Sequence, residues 1–125
     1  MSFGVLAAST RTASGQRPVL TRPIVQAEGD RTVVVLQGEV DFATRPILSD
    51  ALSRVIAWRV GDVVIDLSEA TFIDTAIIRA LAVANELLER SGRRMTFRSP
   101  SRVAAQVMQL FGLTDLIEVS GNAGV

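Results

Sequence analysis

Asp62-Val63-Val64-Ile65-Asp66-Leu67, followed by Phe72-Ile73-Asp74-Thr75-Ala76-Ile77-Ile78, sets the fold class of the chain. The first stretch is a continuous apolar, β-branched run, the kind of strand that is covered on both faces in an α/β sheet. The second opens a helix at Asp74 or Thr75. Beyond it Ile77, Ile78, Leu81, Ala84, Leu87 and Leu88 recur at helical spacing, with Glu86 and Arg90 four apart on the other side and Gly92 as its C-cap. Ser68 to Ile73, between the two, reads as a loop.

Working upstream, Ala43 to about Trp58 has the same period, with Ile47, Leu48, Ala51, Leu52, Val55 and Ile56 on one stripe. Thr44 ahead of Pro46 fits a helix start, and Gly61 a stop. Arg31–Val40 and Pro23–Ala27 read as strands. The turn Glu28-Gly29-Asp30 between them makes an antiparallel hairpin, and Gly38-Glu39-Val40-Asp41 leads out of the sheet. Downstream, Met95–Arg98 is a strand and Ser99-Pro100 caps a third helix. That helix carries Val103, Val107, Met108, Leu110 and Phe111 as its core stripe and ends at Gly112. Leu116–Val119 reads as a last short strand. The order β-β-α-β-α-β-α predicts an α/β fold, a mixed and mostly parallel sheet with one antiparallel edge hairpin and about three helices. Residues 23–120 form one domain in this reading, residues 1–22 a flexible tail and 121–125 a frayed end. The acid-free, Arg-bearing start lacks the helical stripe of a transit peptide.

The 125 residues carry 13 acids and 13 basic side chains, every one of the latter Arg. His, Cys, Lys and Tyr are absent. Missing His and Cys exclude a Ser-His-Asp triad, a thiolate nucleophile and ordinary zinc chemistry. Missing Lys excludes a Schiff base, a Walker P-loop and a kinase site. The balanced charge predicts no binding to nucleic acid or to an anionic membrane. No apolar run reaches the ~20 residues of a membrane span. The expected setting is the cytoplasm, and a binding module is favoured over an enzyme. Trp58 is expected to pack at a helix end, Arg93-Arg94 to form a solvated turn, and Glu86, Glu89 and Arg90 a solvated helix face.

In open α/β sheets ligands and partners meet the carboxyl ends of the strands. Those ends bring Asp41, Asp66-Leu67-Ser68 and Asp74-Thr75 towards one place, and three readings compete there. In the first, the acids and hydroxyls only cap helices and loop amides. In the second, Asp41, Asp66 and Asp74 hold Mg²⁺ in a small phosphate-handling enzyme, although such sites usually add a fixed Lys or a glycine-rich loop. In the third, the Thr75 hydroxyl is itself modified, its phosphoryl group received by the free amides at a helix N-terminus.

Gly38-Glu39-Val40-Asp41, Val63-Val64-Ile65-Asp66-Leu67-Ser68 and Phe72-Ile73-Asp74-Thr75-Ala76-Ile77-Ile78-Arg79-Ala80-Leu81 resemble the bacterial STAS domain family, more narrowly its anti-sigma factor antagonists. The similarity runs from about residue 23 to 119 and includes Phe97–Pro100 and Leu110–Leu113. It implies a protein that binds an anti-sigma factor which is also a serine/threonine kinase of the histidine-kinase ATPase type, and so releases a sigma factor. The implied acceptor of phosphate is Thr75, with a PP2C-type phosphatase reversing the reaction. The implied partner-binding residues are Asp41, Thr44, Asp74, Thr75, Ala76, Ile77 and Arg79. No cofactor or metal is implied, and the oligomeric expectation is a monomer or weak dimer. The chain departs from the commonest antagonist pattern, Ser followed by Ser or Thr and then Gly-Leu. Here Thr75-Ala76-Ile77-Ile78 stands instead, and Ile77 in place of Gly is expected to hinder close approach by a partner. STAS scaffold subunits of stressosome-like complexes more often lack that Gly, so a scaffold role is the alternative within the family. A lipid- or nucleotide-binding STAS variant is a further one.

Overall fold

The computed structural model describes residues 22–118. The tail expected at 1–22 lies outside the described residues except for Arg22, and so do the frayed end expected at 121–125 and the last two residues, 119–120, of the expected domain. Four strands and three helices follow in the order anticipated: β1 (Ile24–Glu28), β2 (Arg31–Val40), α1 (Arg45–Trp58), β3 (Val63–Ile73), α2 (Thr75–Arg90), β4 (Met95–Arg98) and α3 (Arg102–Leu110). The sheet order is β1-β2-β3-β4. β1 and β2 form the antiparallel hairpin, and β2, β3 and β4 run parallel.

All three helices lie on one face of this sheet. Strand residues of one parity (Val34, Leu36, Val63, Ile65, Leu67, Met95, Phe97) form a single core with Leu48, Leu52 and Val55 of α1, Ile78, Leu81 and Leu88 of α2, and Met108 of α3. The other parity supplies a small separate cluster, Val33, Val35 and Val64. Glu28, Arg31, Arg98 and Glu118 form a charged lattice on that second face. Arg98 Nη2 donates to Glu28 Oε1 at 2.8 Å and Arg98 Nε to Glu118 Oε1 at 2.6 Å. Arg31 Nη1 donates to Glu118 Oε2 at 3.2 Å and pairs with Glu28 as well.

The turn before β3 is built around Gly61, whose φ is +87°. A Cβ there would stand 2.1 Å from the Asp30 carbonyl oxygen, so only glycine fits. Arg93 locks the same corner, its Nε donating to Gly61 O at 2.8 Å and its Nη1 to Ile56 O at 2.9 Å. It is therefore a half-buried latch on the end of α1 rather than part of a solvated turn.

Several sequence expectations are corrected. Ser68–Ile73 is not a loop but the continuation of β3, paired to β2 as far as Ile73 opposite Val40. It lies beyond the end of β4, so it has one neighbouring strand and little core, and its side chains lack the apolar signal of a strand. Thr44 stands at the N-cap of α1 with Pro46 in the first turn, as expected, but its side chain makes no cap bond to that helix, being used in the short 3-10 turn over Phe42–Thr44 that Asp41 caps. α3 is capped by Ser101 instead of Ser99, since Ser99 sits at φ 56° and Ser101 Oγ accepts from Ala104 N at 3.0 Å. The core side of α3 is Ala104 and Met108, while Leu110 is 83% exposed and Val103 is exposed too. Trp58 also faces outward. Of the last strand expected at Leu116–Val119, Val119 lies outside the described residues; Leu116 ends a 3-10 turn over Thr114–Leu116, and Ile117 makes one bridge to Phe97. Among the described residues no helix is long and apolar enough to cross a membrane.

Candidate functional site

Because β2 and β3 outrun β4, they project as a two-stranded ribbon. Register shifts fall between Val35 and Gln37 and between Gly38 and Glu39, and Gly38 takes φ +72° there, as a bulge favours. The ribbon ends in two adjacent chain reversals. One is Asp41 and the 3-10 turn into α1, and the other is Asp74 and the start of α2.

Each reversal is held by its acid. Asp41 Oδ1 accepts from Thr44 N at 3.1 Å, and Asp41 N donates to Thr44 Oγ1 at 2.9 Å, a reciprocal capping box. The Thr44 hydroxyl returns a bond to Asp41 O at 3.0 Å. Asp74 N donates to Val40 O at 2.9 Å, which staples the start of α2 to the end of β2. Asp74 Oδ1 accepts from Ala76 N at 2.9 Å, and Asp74 O accepts from Ile77 N and Ile78 N. Asp41 and Asp74 thus arrive side by side as structural caps, with Thr75 exposed immediately beyond.

The seven partner-binding candidates separate accordingly. Asp41, Asp74, Thr75, Ala76 and Arg79 share this end of the molecule at or near the surface. Thr44 is buried, its hydroxyl spent on Asp41, and Ile77 is 0% exposed in the core. Neither offers a side chain to a partner, and Ile77 occupies interior space instead of the contact face expected of it. Asp66 does not join the acids at all. It lies mid-strand, eight residues before Asp74 and so about 25 Å along the strand at roughly 3.3 Å per residue, with Oδ1 accepting from Ser68 N at 2.9 Å. Among the described residues no three acids group where they could hold a metal ion. The triad of Asp41, Asp66 and Asp74 proposed for Mg²⁺ is therefore not assembled, because the extension of β3 carries it apart.

Features that the sequence did not mark complete the site. Phe42 and Phe72 flank the acids and are 65% and 53% exposed. From Thr75 a groove of about 610 Å³ runs between α1 and α2, lined by Arg45, Leu52, Arg79, Val83 and Leu87 among others. Leu87, read as core by its spacing, is 49% exposed on its wall. Arg45 lies over the Phe42 ring at 5.0 Å and Arg79 over the Phe111 ring at 5.6 Å. Exposed aromatics and arginines around an apolar groove are the composition of a protein interface. The one sequence signal for it was an aromatic residue within two positions of each acid, Asp41-Phe42 and Phe72-Ile73-Asp74.

The family model described as "Mlab, STAS domain" matches residues 24–118. No curated protein matches the chain at the level of sequence. Among solved structures, an anti-sigma factor antagonist from Mycobacterium paratuberculosis shares 26% identity over 76% of this chain and 80% of that one, with a TM-score of 0.68. The anti-sigma factor antagonist SpoIIAA in its unphosphorylated form shares 19% identity over 81% of this chain and 91% of that one, with a TM-score of 0.67, a likeness of fold. The same protein, described as a Bacillus cell fate determinant, is also solved in a phosphorylated form, with 19% identity over 81% and 95% of the two chains and a TM-score of 0.66. Mglu shares 30% identity over 63% of this chain but only 20% of that one, with a TM-score of 0.55. With its family model spanning β1 to the end of the described chain, and its sheet and helices in the same order, the protein belongs to the STAS domain family.

Proposed function

We propose that the chain is an anti-sigma factor antagonist acting by partner switching in the bacterial cytoplasm. It binds an anti-sigma factor that is also a serine/threonine kinase of the histidine-kinase ATPase type, and the sigma factor is released. The observation that carries this reading is the exposed Thr75 at the start of α2, between the paired caps Asp41 and Asp74 and the arginine-lined groove. The partner docks over Phe42, Phe72, Thr75, Ala76 and Arg79. In the docked complex the Thr75 Oγ1 attacks the γ-phosphorus of ATP held by the kinase. The bond to ADP breaks and the hydroxyl proton passes to a base of the kinase. The antagonist is substrate and ligand, and contributes no catalytic group. A PP2C-type phosphatase restores the hydroxyl.

Phosphorylation adds about −1.5 to −2 of charge beside two carboxylates inside the docking surface. A hundredfold loss of affinity requires only about 2.7 kcal/mol, within reach of one misplaced dianion. The test is a pull-down from the protein's own bacterium with and without ATP and Mg²⁺, reading both the bound proteins and the mass of Thr75. A histidine-kinase-like anti-sigma factor, recovered without ATP and lost as Thr75 gains phosphate, is the expected result. Thr75→Ala should bind under both conditions and Thr75→Glu weakly under either. Recovery of other STAS proteins in its place would assign the chain to a scaffold.

A further inference from the structure

We propose that a phosphoryl group on Thr75 is held by the chain's own Arg79 and Arg45, which together bridge the mouth of the α1–α2 groove. This deepens the function proposed above and rests on its assignment of Thr75 as the acceptor. The usual recipient of an anion at a helix start is the set of unpaired first-turn amides, and the sequence reading expected them here. In the structure three of its four amides are already committed, and that of Thr75 itself forms no bond among the described residues. Ala76 N is bonded to Asp74 Oδ1, and Ile77 N and Ile78 N are both bonded to Asp74 O. A dianion on Thr75 thus meets a cap with one amide left, its own, beside the carboxylates of Asp74 and Asp41, so most of its counter-charge has to come from side chains.

Two guanidiniums are placed to supply it. Arg79 stands four residues after Thr75 on the same face of α2, and a helical side chain leans back over the turn before its own Cα. Arg45 opens α1 and lines the same groove as Thr75 and Arg79. Neither takes part in the ion pairs of the described residues, which use Arg31, Arg54 and Arg98. Each instead rests on an aromatic ring, Phe42 for Arg45 and Phe111 for Arg79. A ring face holds an exposed cation more weakly than a phosphate holds a guanidinium through paired, charge-assisted hydrogen bonds. Phosphorylation therefore draws both arginines off their rings and onto one anion. The groove mouth is then spanned from α1 to α2, and the two cations offered to a partner are consumed. In this mechanism the switch acts by closing the chain's own groove as well as by repelling the partner.

The experiment uses the full chain carrying phosphothreonine at position 75, installed by codon suppression so that no kinase is needed. The second ionisation of the phosphate, ordinarily near pH 6, is followed by ³¹P NMR in the parent and in Arg45→Gln, Arg79→Gln and the double variant. Asp41 and Asp74 push that ionisation up in all four proteins alike, and the guanidiniums push it down. The parent should ionise about one pH unit below the double variant, with each single variant between them. The ring protons of Phe42 and Phe111 should shift when the parent is phosphorylated. Both arginines are exposed, and thermal melts check that the variants remain folded. Equal titration in parent and double variant overturns the clamp, and dependence on one arginine alone overturns the bridge. Either result stands apart from the pull-down: a missing kinase partner defeats the proposed function, whereas equal titrations defeat only the clamp.

Discussion

At the scale of single residues, the tightest demand in the chain is at Gly61. Its φ of +87° is costly for any residue with a Cβ, and that Cβ would meet the Asp30 carbonyl oxygen at 2.1 Å. Backbone strain and a clash with another backbone atom add, so Gly61→Ala should cost about 3 kcal/mol. Gly92, with φ +77° and open space around it, provides the control: Gly92→Ala should cost about 1 kcal/mol. Urea midpoints of the two variants measure the difference, and equal midpoints would show that Asp30 gives way. Thr44 poses a subtler demand. Its hydroxyl both accepts from Asp41 N and donates to Asp41 O in a buried side chain. Thr44→Val keeps the shape but leaves those groups without a partner, at about 1–3 kcal/mol. It should also loosen Asp41, seen as faster hydrogen exchange of the Asp41 and Thr44 amides with the rest of the sheet unchanged.

At the scale of elements, what the sequence made legible was the buried part. The β-branched runs Val33–Leu36 and Val63–Ile65 and the stripes of α1 and α2 announce themselves, because a core forces apolar residues into the period of the element that carries them. The order of strands and helices followed from that, and so did the meeting of Asp41, Asp74 and Thr75 at one end. Illegible were the places where backbone pairing proceeds without a core. Ser68–Ile73 is strand through its bonds to β2 alone, and that hidden extension is what separates Asp66 from the other acids. The stripe of α3 misled for the converse reason: Leu110 is apolar at the right spacing, but a short helix at the edge of the sheet has too narrow a buried face to include it. Leu87 and Leu88 in α2 make the distinction measurable. Leu88 is 0% exposed and Leu87 lines the open groove. Leu88→Ala should therefore cost about 2–5 kcal/mol, and Leu87→Gln should stay within about 0.5 kcal/mol. The same Leu87→Gln should weaken capture of the partner proposed for the groove. A large loss of stability in Leu87→Gln would return that residue to the core and remove the groove from the interface.

At the scale of the whole molecule, the sheet is held differently on its two faces. The helices and the apolar core secure one, while a lattice of four charged side chains ties the first strand to the last described residue on the other. Arg98 joins Glu28, 70 positions earlier, and Arg31 joins Glu118, 87 positions later. Bonding to Arg98 above all, helped by a weaker bond to Arg31, holds the Glu28 carboxyl down at about 2 from its ordinary 4.5, against an opposing effect of desolvation that ranks second to the Arg98 bond. Glu118 is lowered as well, again chiefly by Arg98, and the two glutamates raise Arg98 further, so it stays charged throughout. A carboxylate with a depressed folded-state pKa contributes stability that is complete above its unfolded value and is lost as pH falls through its folded one. For Glu28 that window runs from about pH 4.5 down to about pH 2. The side chains are partly open to solvent, so salt should weaken the contribution. Thermal melts between pH 7 and pH 2 should show the parent losing melting temperature in this window more steeply than a Glu28→Gln, Glu118→Gln double variant. The gap between the two proteins should narrow in molar sodium chloride. Parallel curves at low salt would mean that the lattice only decorates the second face, and that the covalent hairpin and the strand ladder hold β1 in place without it.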